Sequence, residues 1–147
     1  MYPASFDYHR AGSIDDARRL LAAHPGSKLL AGGHSLIPLL KLRLAAPPAV
    51  IDIGRVQALR GIGSQGGHLR IGSLTTHAEI AGSAEVGTGA SALAEAAALV
   101  GDPAVRNRGT IGGNVAHADP ASDLPTVLVA LGARMVAVGP RGERNID

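Results

Sequence analysis

Short apolar stretches alternate with amphipathic ones over the first third of the chain. Residues 4–9, 28–31 and 50–53 have the length and composition of strands. Residues 13–24 begin like a capping box, place their apolar side chains on one helical face, and stop at Pro25-Gly26. Residues 37–44 are also predicted to be helical, and they stop before Pro47-Pro48. This order of strands and helices predicts a small parallel βαβαβ unit within residues 1–54.

The pattern changes from residue 55 onward. Residues 59–64 and 68–72 flank a glycine pair, which predicts an antiparallel hairpin. Further helices are predicted from a capping box at Thr76, over residues 91–100 and over residues 124–131. Residues 134–138 are predicted to form a strand that ends in a turn. We therefore expect an α+β fold, with a parallel subdomain at 1–54 and a second subdomain at 55–147 that contains an antiparallel sheet with helices.

Composition narrows the classes of function. The net charge is only +2, and the basic residues are spread along the chain with no aromatic residue interleaved among them. Nucleic acid is therefore not an expected partner. The absence of cysteine excludes disulfides and cysteine-bound iron–sulfur clusters within this chain. No apolar run approaches the length of a membrane helix, and we expect a cytoplasmic protein that is not integral to a membrane.

Two glycine-rich stretches carry the candidate chemistry. Residues 31–35 follow a predicted strand, and residues 109–114 follow Arg106 and Arg108. Glycine allows positive φ and close approach of backbone to a ligand, and successive N–H groups can converge on an anion. We interpret the two stretches together as the pyrophosphate site of one dinucleotide. The alternative is that each is an ordinary glycine-containing turn.

Other motifs give weaker evidence of a function. Residues 61–66 match G-x-G-x-x-G, but a predicted strand follows them where the dinucleotide motif needs a helix, so a hairpin turn is the better interpretation. No G-x-S-x-G elbow and no pair of carboxylates suited to acid–base catalysis is present. The six histidines are not spaced as metal ligands, although His34 and His117 could meet at one cofactor. The other four, His9, His24, His68 and His77, are predicted to be surface or capping residues, and Asp119 is predicted to be a turn residue.

The two stretches and their flanks resemble a known family. RNRGTIGGNVAHADPASDLP and AGGHSLIPLLKLRLAAPPAVIDIGRV are similar to the flavin loops of the FAD-binding (medium) subunit of molybdenum hydroxylases, of the carbon monoxide dehydrogenase and xanthine dehydrogenase type. The resemblance covers nearly the whole chain in order. It implies the FAD-binding fold of the vanillyl-alcohol-oxidase and molybdopterin dehydrogenase type.

The resemblance also implies FAD as the cofactor and suggests its contacts. Contacts to the pyrophosphate or the nearby pocket would come from the first stretch: Leu29, Leu30, Ala31, Gly32, Gly33, His34, Ser35 and Leu36. The second stretch would contact the pyrophosphate, the ribityl chain and the ring system: Thr110, Gly112, Gly113, Asn114, Ala116 and His117. Asp123 has two interpretations that can coexist, as the N-cap of the following helix and as acceptor from a flavin hydroxyl. No catalytic residue or metal ligand is assigned.

The resemblance further implies a role in electron transfer. In the family, a large subunit holds molybdopterin cytosine dinucleotide and a small subunit holds two [2Fe-2S] clusters, from which electrons pass through FAD to an external acceptor. A subunit of the family continues past residue 147, so we expect an N-terminal or truncated form with an uncovered sheet edge, weak FAD binding and self-association. The alternatives are a non-redox nucleotide- or anion-binding module and a truncated form that holds no cofactor.

Overall fold

A computed structural model describes residues 2–147, and it begins with a three-stranded parallel sheet. Strands β1 (Asp7–Arg10), β2 (Lys28–Leu30) and β3 (Ala49–Asp52) lie in the order β1-β3-β2. Helices α1 (Ile14–Ala23) and α2 (Leu36–Lys41) make the crossovers between them. The predicted parallel βαβαβ unit is confirmed.

Helix α1 and strand β3 form the centre of the first core. The Ser13 hydroxyl caps α1 by accepting the N–H of Asp16 at 3.1 Å, which satisfies one of the free donors of the first turn. Ala17 and Leu20 on α1 are buried, as is Ile51 in the central strand. These side chains belong to a cluster that extends beyond the sheet: Ala11, Ala17, Leu20, Ile51, Ile53, Val56 and Leu74.

The second part of the chain is an assembly of short helices with two hairpins. A 3₁₀ turn (Gln57–Leu59) precedes the hairpin of β4 (Ile62–Gln65) and β5 (His68–Ile71). The helices are α3 (His77–Ala81), α4 (Ala84–Gly89), α5 (Ser91–Leu99), α6 (Pro103–Arg106), α7 (Ile111–His117) and α8 (Asp123–Ala130). They enclose a second core of Ile80, Val86, Leu93, Ala97, Ile111 and Leu124. The predicted α+β class, with antiparallel strands and helices after the parallel unit, is confirmed, whereas the boundary near residue 55 stays a prediction.

The structure departs from the sequence-based prediction in two places. Helices α4, α6 and α7 were not predicted, and α7 carries two glycines in its first turn, where propensity argues against a helix. The antiparallel strands form two separate hairpins, with β6 (Met135–Gly139) pairing with β7 (Gly142–Ile146). The expected start of a return strand is thus a complete strand that pairs along all five positions of β6.

Candidate cofactor site

The two glycine-rich stretches lie against each other. A side chain at Gly32 would overlap the backbone carbonyl of Arg108, and its Cβ would stand 3.0 Å from the Cα of Gly109. Ala31 is also close to the second stretch, since its Cβ would lie 3.9 Å from a Cβ at Gly113. Glycine at position 32 therefore allows the first stretch to pack directly on the backbone of the second.

The first stretch leaves a row of backbone donors available. Gly33 adopts φ +84°, a conformation that favours glycine, and a Cβ there would lie 2.7 Å from Ile37 Cδ1. Within residues 2–147, the N–H groups of residues 32–35 donate no hydrogen bond. Ser35 precedes α2, but its hydroxyl makes no capping bond, so it too is available. The segment therefore has consecutive backbone donors available to an anion.

The second stretch differs from the expectation that its N–H groups would also be open. Ile111 donates to the Thr75 carbonyl at 3.0 Å, and Gly112 donates to the Ser73 carbonyl at 2.9 Å. The N–H of Gly113 donates to the Thr110 hydroxyl at 3.2 Å, which caps α7. None of the glycines at 109, 112 and 113 has positive φ. This segment is the hydrogen-bonded first turn of a helix, and within residues 2–147 only the N–H of Thr110 in this stretch has no acceptor. Binding of the cofactor by this stretch stays a prediction.

Close packing explains the glycines of the second stretch. A side chain at Gly112 would overlap Ser73, and a Cβ at Gly109 would lie 2.8 Å from Cδ2 and 2.9 Å from Nε2 of His77. Thr76 and Thr110 also form an antiparallel bridge. The second stretch is therefore positioned by the segment 73–77 beneath it.

His77 is part of this support, although it was predicted to be a surface or capping residue. Its side chain is 3% exposed, its N–H donates to the Gly109 carbonyl at 3.0 Å, and its Nδ1 has no hydrogen-bond partner among residues 2–147. Burial lowers the pKa of His77, so the imidazole is neutral near neutral pH. The predicted capping box beside it is confirmed, with Thr76 and Glu79 making both reciprocal bonds.

The other histidines differ in their exposure. His68 is exposed, as predicted, whereas His9 and His24 are half-buried and stack with their ring centroids 4.1 Å apart. No group of three potential metal ligands is found among residues 2–147. In the same part of the chain, no helix has the length and apolarity needed to cross a membrane.

A cleft of about 280 Å³ opens where the two stretches meet. Its lining comprises residues of the first stretch, one face of α2 and one arginine: Gly32, Gly33, His34, Ile37, Pro38, Lys41 and Arg108. The side chains of Lys41 and Arg108 bring two positive charges to the cleft, and no carboxylate lines it. Neither of these two residues makes an ion pair among residues 2–147. The electrostatics favour an anionic ligand.

Lys41, Ile37 and Pro38 were missed by the sequence analysis. Together with His34 they fall at positions i, i+3, i+4 and i+7, which is the spacing of one helical face. This spacing could have identified them, because the helix was predicted to begin directly after the first stretch. The remaining residues assigned to the first stretch are less enclosed: Leu29 is exposed, and Leu30, Ala31 and Leu36 are half-buried.

The residues assigned to the ribityl chain and ring system lie outside this cleft. Asn114 is fixed on α7 by its Oδ1, which accepts the Ser122 hydroxyl at 3.0 Å. Ala116 and His117 are exposed at the C-terminal end of the same helix. The structure therefore brings His34, but not His117, into the cleft.

The structure corrects the predicted cap of α8. Ser122 occupies the N-cap position, and Asp123 is the exposed first residue of the helix. Neither side chain makes a capping hydrogen bond, since the Ser122 hydroxyl donates to Asn114 instead. Asp119 forms the predicted turn, with its carboxylate accepting the N–H of Ala121 at 2.9 Å.

The fold is that of an α+β domain with a positively charged cleft, and comparison with known proteins identifies its class. The family described as the FAD binding domain in molybdopterin dehydrogenase matches residues 4–147. The carbon monoxide dehydrogenase medium chain of Hydrogenophaga pseudoflava is 46% identical over 147 residues, which is 99% of this chain and 51% of that protein. The 6-hydroxypseudooxynicotine dehydrogenase complex subunit alpha of Paenarthrobacter nicotinovorans is also 46% identical, over 99% of this chain and 50% of that protein.

A solved structure agrees with these sequence matches. The carbon monoxide dehydrogenase from Hydrogenophaga pseudoflava that lacks the Mo-pyranopterin moiety of its molybdenum cofactor superposes with a TM-score of 0.97 at 46% identity, covering 99% of this chain and 51% of that one. This chain belongs to the FAD-binding domain family of the molybdopterin dehydrogenases, so the predicted family and its cofactor, FAD, are confirmed. The chain spans about half the length of the curated relatives it matches.

Proposed function

We propose that this chain is part of the electron-transfer subunit of a molybdenum hydroxylase, in which it binds FAD at the two adjoining glycine-rich stretches. The observation that carries this proposal is the row of N–H groups at residues 32–35, which have no acceptor within residues 2–147. Gly32, Gly33 and His34 of this row line a cleft together with Lys41 and Arg108, which make no ion pair among the described residues. Membership of the FAD-binding family supports it independently.

The residues present fit the pyrophosphate of FAD. Backbone donors and the Ser35 hydroxyl supply hydrogen bonds, and Lys41 and Arg108 supply opposite charge. Hydrogen bonds to a charged group contribute about 1.5–3 kcal/mol each, so two or three of them account for a substantial part of the affinity. The second stretch has a different role in this proposal, because most of its own N–H groups are occupied. It provides the wall on which Gly32 packs, and within residues 2–147 the N–H of Thr110 is its one backbone donor without an acceptor.

The chain's own residues hold and orient the cofactor. Asn114, fixed by Ser122, and the free carboxylate of Asp123 are proposed to bind the ribityl hydroxyls, with Ala116 and His117 near the ring system. FAD, when bound, supplies the redox chemistry by accepting electrons and passing them on. His77 and the segment around it position the second stretch and do not themselves react.

Partners follow from the chemistry that this chain lacks. The 147 residues contain no cysteine and so cannot ligate a [2Fe-2S] cluster through thiolates, which is compatible with an electron donor on another chain. We propose a small iron–sulfur subunit in that role and a large subunit with molybdopterin cytosine dinucleotide as the site of substrate oxidation. The assembly is proposed to be cytoplasmic, and its final electron acceptor to be external.

The test is a titration of the purified chain with FAD, followed by the absorbance and fluorescence of the flavin. We expect one FAD per chain and the paired absorption bands of bound oxidised flavin. NAD serves as the comparison ligand, because it also carries a pyrophosphate but no flavin. Equal affinity for NAD and FAD would favour a general nucleotide-binding module, and no binding of FAD would contradict the proposal.

A further inference from the structure

We infer that His77 is a positioning residue for the cofactor site, and that a proton on its ring opposes the binding of FAD at the two glycine-rich stretches. This inference rests on the proposed function and adds a form of regulation to it, the weakening of cofactor binding in acid. His77 is not among the residues that line the cleft, so it acts through the backbone of the second stretch.

A continuous set of contacts connects the His77 ring with the backbone donors of the first stretch. A Cβ at Gly109 would lie 2.8 Å from Cδ2 and 2.9 Å from Nε2 of His77, so the ring lies directly against that glycine. On the other side, a Cβ at Gly32 would lie 3.0 Å from the Cα of Gly109. Gly32 begins the row of donors at residues 32–35. The ring therefore supports the peptide on which the first stretch packs.

The surroundings of His77 suit a neutral ring and not a charged one. The residue is 3% exposed, and its Nδ1 has no hydrogen-bond partner among residues 2–147. A protonated imidazole carries an N–H on both nitrogens, so Nδ1 would become a buried donor without an acceptor, which is costly. The lowered pKa of His77, which burial causes, agrees with this geometry.

No charged group among residues 2–147 compensates for a proton on this ring, because burial is the only cause of the shift in its pKa. Glu79, the carboxylate on the same helix, is occupied at the helix start, where it accepts the N–H and the hydroxyl of Thr76. The other charged side chains on the helices packed against α3 and on the neighbouring segments are Arg60, Glu85, Glu95, Asp102, Arg106 and Arg108.

A proton on His77 and FAD therefore favour different arrangements of the same segment. The ring can take up a proton when the second stretch moves away from it and water reaches Nδ1, whereas FAD requires the two stretches at the spacing that the contact between Gly32 and Arg108 sets. Two ligands that favour different arrangements weaken each other by the same factor. We expect FAD to bind most tightly above pH 6.5, the ordinary value for histidine, and more weakly as pH falls below it.

His34 allows the direction of this effect to be used as evidence. It lines the cleft, so a proton on His34 would add positive charge there and strengthen the binding of a pyrophosphate as pH falls. A proton on His77 has the opposite effect. The sign of the pH dependence therefore shows which of the two histidines dominates.

The experiment measures the dissociation constant of FAD between about pH 5 and 8, at values where circular dichroism shows the unbound chain to be folded. It compares the unmodified chain with His77→Asn and His77→Gln, which do not titrate, and with His68→Asn at an exposed position on β5 as the control. In the unmodified chain and the control, FAD should bind more weakly below pH 6.5, by up to about tenfold per pH unit, the limit for one proton. In both His77 variants the affinity should not decline with pH.

The possible results separate this inference from the proposed function. If the unmodified chain binds FAD with an affinity that is constant or rises as pH falls, or if the His77 variants show the same decline as the control, the inference is overturned and the proposed function stands. If the unmodified chain does not bind FAD at pH 8, where the His77 ring is neutral, both are overturned. The sign of the pH dependence in the unmodified chain tests the inference even if both variants fold poorly.

Discussion

Gly32 packs directly on the backbone carbonyl of Arg108, in a contact that leaves no space for a side chain at position 32. Gly109 continues this contact on one side of the peptide, and His77 lies against Gly109 in turn. The distance between the two glycine-rich stretches is thus set by backbone and one buried ring. A cofactor held by both stretches depends on that spacing.

Gly32→Ala is therefore expected to separate the two stretches. Overpacking of this kind costs about 1–3 kcal/mol, and the variant should show a lower melting temperature and weaker FAD binding. Gly12→Ala is the matched control, since Gly12 has no positive φ and a Cβ there meets no atom within 4 Å. An unchanged FAD affinity in a folded Gly32→Ala protein would show that the contact is irrelevant to the site.

Alanine substitution of two serines that precede helices should affect stability in one case and FAD affinity in the other. Ser13 caps α1 with its hydroxyl, so Ser13→Ala should lower the free energy of unfolding by about 0.5–2 kcal/mol and leave FAD affinity unchanged. Ser35 makes no capping bond, so Ser35→Ala should hardly affect stability but should weaken FAD about tenfold. Thermal melts and FAD titrations on both variants test this. Loss of stability in Ser35→Ala with unchanged affinity would assign Ser35 a structural role only.

The stability of the protein should depend on pH through His77. Burial lowers its pKa in the folded state below the ordinary value of 6.5, so the unfolded chain binds the proton more readily. Stability contributed by the neutral ring is therefore present above pH 6.5 and is lost as pH falls from there toward the folded-state pKa. For one proton, the free energy of unfolding cannot change by more than about 1.4 kcal/mol per pH unit.

His77→Asn removes this titration and should flatten the decline of stability below pH 6.5. His68→Asn, at an exposed position on β5, is the control. Chemical denaturation at several pH values between about 5 and 8 measures the effect. An equally steep decline in both variants would assign the pH dependence to other groups.

Asp123→Asn tests whether the carboxylate serves the cofactor or the helix. Because Ser122 holds the N-cap position, the change should cost only the interaction of a charge with the first turn of α8, about 0.3–1 kcal/mol. The larger effect of the substitution should be a fall in the affinity for FAD. Glu85→Gln makes the same kind of change in the first turn of α4 and should leave FAD affinity intact. If both variants lose only stability, Asp123 has no part in cofactor binding.

Sequence patterns predicted the elements that local signals define. Ser13 as a cap and Pro25-Gly26 as a stop placed α1, and the two glycines of the β4–β5 turn adopt the positive φ values, +59° and +77°, that a tight hairpin needs. The cap at Thr76 likewise located α3. Each of these signals acts within a few residues, so it can be read without knowledge of the tertiary structure.

The site was less predictable because distant contacts shape it. Gly112 and Gly113 suggested an open loop, but hydrogen bonds from this stretch to residues 73 and 75 make it the start of a helix. The burial of His77 results from the same contact and leaves no local trace in the sequence. Lys41, in contrast, could have been predicted from the sequence, because its spacing from His34 places both residues on one helical face.

The central strand of the parallel sheet is also the last of its three strands to be synthesised. Strands β1 and β2 each pair with β3 and not with each other, so neither has a partner until residues 49–52 have left the ribosome. Before that point, residues 7–10 and 28–30 expose backbone donors and acceptors that can pair with other chains. Once β3 emerges, both pairings become available together, and the N-terminal unit is expected to form in a single cooperative step during translation.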